Sequence, residues 1–266
     1  MKKRFKRWFF CKEQDVCRHS SALIVIFNWF LVFLVLAGIF SFAFSQVNYV
    51  FHWDMILPYH DKFLSGFLMT VIISFFSLLL SLILGIFFAL GSKSTFLPWR
   101  FLSRFYVELI RGTPLLVQIL VFFYVIADAF HLSNRYVAGV LILSLFAGAY
   151  LCEIIRAGID SVSRTQLETA RSLGLTRHQT YRYIVLPQVI RRILPPLAGA
   201  FASLIKDSSL LSVIAVREFT LNAQEVNAFT YSTLESYLPL AIGYLLLTLP
   251  ISLFSKKLEK RFNYAT

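Results

Sequence analysis

The sequence predicts an all-α membrane protein with about six transmembrane helices and both termini in the cytoplasm. Three observations carry that prediction. Hydrophobic residues make up 58% of the 266-residue chain and charged residues only 15%, whereas a soluble chain carries roughly a quarter of its residues charged. Apolar runs long enough to cross a bilayer recur along the chain. Lys and Arg gather in alternate connections between those runs, which is how basic residues set membrane orientation.

A helix needs about 20 mostly apolar residues to cross roughly 30 Å of hydrocarbon. The first run, 23–44, is uncharged, and so are the second, 66–90, and the sixth, 237–254. The third, about 107–130, carries Glu108, Arg111 and Asp128 near its ends. The fourth, about 137–155, is interrupted only by Glu153. The fifth, about 193–216, contains Lys206 and Asp207 and is the weakest of the six. The first run follows the basic stretch KKRFKRWFFCK, as a secretory leader would. Its core exceeds the usual 7–15 residues and no small-residue cleavage site follows, so it reads as an uncleaved anchor.

The net charge of +12 would suit a nucleic-acid binder if the charges were scattered. They are not. The tail through Ala22 holds seven Lys and Arg, the stretch 91–104 three, the stretch 156–192 seven and the tail from Lys256 four. Six crossings place all four regions on one face, leaving Lys62, Arg135 and Arg217 opposite, so both termini face the cytoplasm. The opposite connection 217–236, with Glu218, Glu225 and Glu235, reads equally as an exposed docking surface or an ordinary solvated link. Cys11, Cys17 and Cys152 lack metal-site spacing and read as reduced thiols, and His52, His60 and His131 read as lone outer-loop side chains. Trp8, Trp53 and Trp99 suit interfacial belts. No metal site and no catalytic residue are expected.

The long cytoplasmic connection, 156–192, is the informative piece, because a loop of more than 30 residues rarely lacks a function. Thr165-Gln166-Leu167-Glu168 fits a capping box opening a first helix. Gly174 sits where a left-handed C-cap belongs. Thr176-Arg177-His178-Gln179 is a second capping box, and its helix is expected to end at Leu186 because Pro187 clashes with a preceding turn. The result is a helix, a glycine turn and a helix, held between two spans. Such a unit either lies on anionic lipid or plugs into a soluble partner.

These residues carry a resemblance. Glu168-Thr169-Ala170, then Gly174 after a three-residue gap, then Ile184-Val185-Leu186-Pro187 resemble the EAA loop of ABC-transporter permeases, with Thr169 departing from the usual alanine. Arg111-Gly112-Thr113-Pro114-Leu115-Leu116-Val117-Gln118, Tyr150-Leu151-Cys152-Glu153-Ile154-Ile155-Arg156 and Lys206-Asp207-Ser208-Ser209-Leu210 are similar to polar amino acid importers of the histidine/glutamine/arginine type. The likeness covers about residues 66–254. Members of that group have five spans, so the resemblance implies a five-helix permease core plus one N-terminal helix. It divides the chain into a tail, additional helix and outer loop (1–62), a permease domain (63–255) with its coupling loop (156–192), and a basic cytoplasmic tail (256–266).

The resemblance further implies an ATP-driven amino acid importer of the bacterial inner membrane. Its partners are ATPase subunits, a second permease subunit (self or sister) and a periplasmic amino acid-binding protein, with the lipid bilayer around it and no nucleic acid. Glu168, Thr169, Ala170, Gly174, Ile184, Leu186 and Pro187 are the expected ATPase-coupling residues. The residues support that division of labour independently, since no G-x-x-x-x-G-K-[ST] phosphate loop occurs. The chain is therefore expected to hold no cofactor, with ATP and Mg on the partner, and to be a transport subunit and not an enzyme.

Ionisable residues inside spans mark candidate sites. Glu153 and Arg156, and likewise Glu108 and Arg111, stand one helical turn apart and suit internal pairs. Glu153 with Arg111 also suits a substrate path, as do Lys206 and Asp207 halfway along the fifth run. Two rival functions are an ion-coupled secondary transporter, which calls for an inverted repeat, and a membrane scaffold, in which the polar span residues are dispensable.

Overall fold

The computed structural model describes residues 22–46 and 49–263, and among them every regular element is helical. The basic N-terminal tail, with Trp8, Cys11 and Cys17, lies outside the described residues. The chain divides into two units, Met1–Phe51 and His52–Thr266. The first contains α1, Ala22–Ser45, whose 24 residues reach about 36 Å, enough to span hydrocarbon.

The second unit begins with a short helix, α2 (Trp53–Ile56), and a 3₁₀ turn, Leu57–Tyr59, that lead into α3, His60–Ser92. An amphipathic helix, α4 (Leu97–Arg111), precedes α5 (Leu115–Val121), which continues as a π-helical segment, Phe122–Ala127. Then come α6 (Arg135–Asp160), α7 (Arg164–Ser172) and α8 (Arg177–Thr180). A second π segment, Tyr181–Val185, joins α8 to α9 (Leu186–Asp207), and a 3₁₀ turn, Ser208–Ile214, ends it. Helices α10 (Phe219–Thr230) and α11 (Thr233–Asn263) complete the chain. Five helices among the described residues are long and apolar enough to cross a membrane, or six if the bent α4–α5 pair counts as one span.

The packing is that of a protein dissolved in lipid. Helices α3 and α6 form the most extensive contact, with α4, α9 and α10 set around them. The face that α3 buries is mostly small: Gly66, Thr70, Ser74, Ser77, Ser81, Gly85 and Ala89, spaced three and four apart, with Ile73 the one large side chain buried among them. Its large residues, among them Ile72, Phe75, Phe76, Leu79 and Ile83, point outward. In hydrocarbon, apolar side chains gain nothing by hiding, so association rests on close packing of small residues and interhelical hydrogen bonds. A Cβ on Gly85 would lie 2.7 Å from Leu151 Cβ, and one on Gly148 3.1 Å from Leu84 Cβ. Ser144 Oγ donates to the Ser77 carbonyl across the same seam at 3.3 Å.

Two expectations for the fifth run and the loop that precedes it are corrected. Helix α9 is part of one continuous helical path from Arg177 to Ile214, so Pro187 does not end a helix at Leu186. Pro187 falls in the first turn of α9, directly after the π segment, where the widened turn relieves the ring's clash with the preceding carbonyls. The first loop helix starts at Arg164 instead of after Thr165. Ser163 is its N-cap and accepts from Gln166 N at 3.3 Å, which leaves Glu168 two positions too far along for a capping box.

The connection 217–236 is neither a bare link nor wholly exposed, since it folds as α10 and buries Glu218 and Glu235 completely. Glu218 caps α10: its Oε2 accepts from Thr220 N at 2.8 Å and its Oε1 from Leu221 N at 2.8 Å. Tyr244 of α11 donates to it at 2.9 Å, and Thr70 of α3 lies at 3.5 Å. One carboxylate thus joins three helices and meets the positive end of one of them. Lys62 closes the same region by pairing with Glu225 at 2.7 Å, which holds that carboxyl below its ordinary range.

Burial pushes the Glu218 carboxyl above its ordinary range, against the pull of those donors. A raised folded-state value means that the folded state binds the proton more tightly than the unfolded chain. The stability from protonating Glu218 is then full below the unfolded value of about 4.3 and is lost as pH rises through the folded one. Relative to Glu218→Gln, the parent should gain melting temperature as pH falls from 7 towards 4.5 in detergent. Parallel pH profiles for the two would remove this role.

Candidate functional site

Helices α3, α4 and α6 end around a polar cavity of about 600 Å³. Its walls include Lys93, Arg104, Glu108, Arg111, Glu153 and Arg156. Glu153 is the hub. Arg156 grips it with both ends of the guanidinium, Nε to Oε1 and Nη2 to Oε2, each at 2.8 Å. Arg111 approaches from α4 at 3.3 Å. Arg156 also reaches Asp160 at 3.4 Å, and Asp160 pairs with Lys93. Arg111, Glu153, Arg156, Asp160 and Lys93 therefore alternate in sign along a ladder that joins the ends of three helices. The expected Glu153–Arg156 pair is present. The Arg111–Glu108 pair is not: Arg111 lies over the Tyr150 ring, 5.4 Å from its centroid, and turns to α6. Arg104 and Glu108 make no ion pair among the described residues and face the cavity uncommitted.

The third run is corrected here. It is not one helix over 107–130, because α4 and α5 meet at 108°. The stretch Arg111–Gln118 builds that elbow residue by residue. A Cβ on Gly112 would sit 2.8 Å from the Glu108 carbonyl, so this position admits only hydrogen. Thr113 Oγ1 donates to the Leu109 carbonyl at 3.1 Å and closes α4. Pro114 lacks the N–H that a helix start leaves unpaired, and its extended backbone launches α5. Gln118 then reaches back, its Nε2 donating to the Ile110 carbonyl at 2.6 Å and to Thr113 Oγ1 at 2.8 Å. The elbow places Arg111 at the corner, beside Glu153.

The loop after α6 has the helix–turn–helix form read from its sequence. Gly174 has φ +74°. Thr176 and Gln179 form the complete capping box, Thr176 N donating to Gln179 Oε1 at 2.8 Å. Glu168 and Thr169 are exposed, Ala170 is buried, and Leu173 at the crest is 74% exposed. Ile184 is partly buried, while Leu186 and Pro187 are exposed. Glu168 makes no ion pair or side-chain hydrogen bond among the described residues. Lys206 and Asp207 lie apart from the cavity at the end of α9, Lys206 exposed and Asp207 partly buried. Sequence reasoning left Glu218 and Glu235 as loop acids, paired Glu108 with Arg111, and missed Arg104. The place of Arg104 four residues before Glu108 on α4 was its available signal.

The family described as binding-protein-dependent transport system inner membrane component matches residues 81–264, which contain the elbow, α4, α6, the C-terminal end of α3 and the loop. The chain belongs to this family. Its similar relatives in the family include a probable glutamine ABC transporter permease protein of Bacillus subtilis, 38% identical over 203 residues, 76% of this chain and 94% of that one. A glutamine transport system permease protein of Escherichia coli is 35% identical over 80% of this chain and 98% of its own length. Among solved structures, an amino acid ABC transporter crystallised with histidines has 36% sequence identity and a TM-score of 0.74, covering 80% of this chain and all of that one. An inward-facing methionine ABC transporter shares the fold, with a TM-score of 0.60 at 13% identity over 79% of this chain and 98% of that one. The family resemblance read from the EAA-type loop and the all-α membrane fold both stand.

Gln118→Ala leaves the Ile110 carbonyl without its donor at the elbow. Loss of about 1 kcal/mol follows, the net contribution of a partly buried hydrogen bond. The check is a lower melting temperature in detergent; a parent-like value would remove the staple.

Proposed function

We propose that this chain is the permease subunit of an ATP-driven amino acid importer in the bacterial inner membrane, with both termini cytoplasmic. The relatives named for glutamine transport and the amino acid transporter structure support the substrate class. The observation that carries the coupling half is the loop itself: a capped, two-helix unit with an exposed Leu173 crest, held between the spans α6 and α9. An ATPase subunit receives that crest, and ATP with Mg resides on it. A second permease subunit and a periplasmic amino acid-binding protein complete the assembly.

Each loop residue then has a physical role. Gly174 sets the angle between the two helices, because an L-residue in left-handed backbone costs about 1–2 kcal/mol. Buried Ala170 seats the first helix, exposed Glu168 and Thr169 meet the partner, and Ile184, Leu186 and Pro187 carry displacement into α9. Glu153 and Arg111, and separately Lys206 and Asp207, line the path that substrate follows between alternating outward and inward openings.

The test is co-purification of ATPase with the tagged chain from solubilised membranes. Nothing lies within 4 Å of a Cβ built on Gly174, so Gly174→Val redirects the turn without a collision. Glu168→Lys alters an exposed side chain with no partner to lose. Both should keep insertion while recovering ~10-fold less ATPase, equivalent to about 1.4 kcal/mol of docking; Glu168→Lys also keeps the melting temperature, whereas Gly174→Val lowers it by its backbone strain. Wild-type recovery with both variants would defeat the coupling role.

A further inference from the structure

Helix α4 presents three faces. Ser103 and Val107 are buried in the bundle, Val107 in one cluster with Ala89, Cys152 and Ile155. Arg104, Glu108 and Arg111 line the polar cavity of about 600 Å³. Phe101, Leu102, Phe105 and Leu109 make a third face, each more than half exposed. That apolar face borders the polar one, because Glu108 and Phe101, seven residues apart, project only about 20° from each other.

The depth of this helix is set by its neighbours. Glu153 stands about 27 Å from Arg135 along α6, counting rise per residue. With Arg135 at one surface, the cavity lies at the opposite boundary of a hydrocarbon layer about 30 Å thick. Helix α4 crosses that boundary obliquely: Ser103 lies against Gly91 of α3, and Val107, four residues on, clusters with Ala89, only two residues back. Apolar residues in the acyl region and charges at headgroup level are how an amphipathic helix lies in an interface.

The charges that line the cavity are mostly spent on one another. Arg156 and Arg111 hold Glu153, and Lys93 pairs with Asp160. Arg100, one turn before Arg104, donates from Nε to the Ser94 carbonyl at 2.8 Å. Arg104 and Glu108 are exposed and make no ion pair or side-chain hydrogen bond among the described residues. Their order explains this in part, since an acid four residues after a base is the weaker arrangement on a helix. What remains open to a ligand is thus one positive and one negative charge, beside an apolar stripe, at a membrane surface.

We infer that the cavity and the adjoining stripe of α4 bind a zwitterionic aminophospholipid, Arg104 taking its phosphate, Glu108 its ammonium, and Phe101 and Phe105 an acyl chain. Both polar contacts are charge-assisted hydrogen bonds. An anionic headgroup satisfies Arg104 alone and meets Glu108 as a like charge. A trimethylated headgroup offers Glu108 no N–H. A free zwitterion carries both charges and leaves the stripe unused. The site depends on the membrane placement of α4 and α6, and not on ATP-driven transport.

The experiment delipidates the full-length chain in detergent and adds back phosphatidylethanolamine, phosphatidylglycerol or phosphatidylcholine with identical acyl chains. The readout is the lipid concentration that gives half of the rise in melting temperature. Phosphatidylethanolamine should half-saturate at ~10-fold lower concentration than either other lipid, equivalent to about 1.4 kcal/mol. Glu108→Gln should abolish its advantage over phosphatidylcholine and improve phosphatidylglycerol, while Arg104→Gln should weaken all three. Equal half-saturation by the three lipids in the parent overturns the inference, and that comparison stands even if a variant fails to insert. A preference for phosphatidylethanolamine that survives both substitutions puts the lipid elsewhere and also overturns it. Glycerophosphoethanolamine and L-glutamine serve as soluble zwitterions. Protection by either at the same concentration as the lipid, unchanged in Phe105→Ser, assigns the pair to a free zwitterion and defeats the lipid site. Loss of the lipid preference in Phe105→Ser, with neither soluble compound protecting, supports it.

Discussion

Everything else in the bundle is hung on the close approach of α3 and α6. Gly85 and Gly148 admit the opposite helix to distances that a side chain would forbid, and Ser144 donates across the gap. No water competes for such contacts in hydrocarbon, and no hydrophobic drive replaces them. Ile73 apart, the buried face of α3 is therefore small and hydroxylic while most of its Phe and Leu face outward, the reverse of a soluble helix. Because the seam fixes α6, it also fixes Glu153 and Arg156 near its end, and thus one wall of the polar cavity.

The other wall depends on the elbow. Helix α4 can bring Arg111 to Glu153 only because the chain turns through 108° directly after it. Gly112, Pro114 and Gln118 each remove a different obstacle to that turn: a collision, an unpaired donor and an unpaired acceptor. The ladder of charges then joins α4, α6 and the end of α3 at one level. Each pair is partly exposed, so singly they contribute little to stability. Their consequence is geometric, since Arg156 occupies both oxygens of Glu153, while Arg104 and Glu108 line the cavity with no ion pair among the described residues.

Features that depend on length or on nearest neighbours were legible in the sequence. The uncharged runs within α3 and α11, Gly174 at a left-handed turn and the Thr176–Gln179 box all depend on residues a few positions apart. The elbow signal was also local, yet apolar residues on both sides of Gly112-Thr113-Pro114 made one continuous run. The Thr165–Glu168 box failed because Ser163 competes for the same cap, and local pattern does not decide between two hydroxyls two residues apart. Arg111's turn to Glu153 and the burial of Glu218 against Thr70 join residues far apart in the chain. No local spacing rule reaches them.

The loop cannot move alone. Val162, Val185 and Val189 form a buried cluster with Leu167, Ile159 and Ile193 packed on it, which joins α7 to the ends of α6 and α9. Arg192 Nη1 donates to the Ser161 carbonyl at 2.7 Å and closes the same junction. A displacement of the crest at Leu173 must either break this cluster or carry α6 and α9 with it. Glu153 and Arg156 stand on α6, and Lys206 and Asp207 on α9. The loop is therefore packed against the two helices that bear these four ionisable residues. Between them lies the π segment at Tyr181–Val185, where the i to i−4 ladder is interrupted. A bend between the loop and α9 falls there, because a π segment is where a helix kinks.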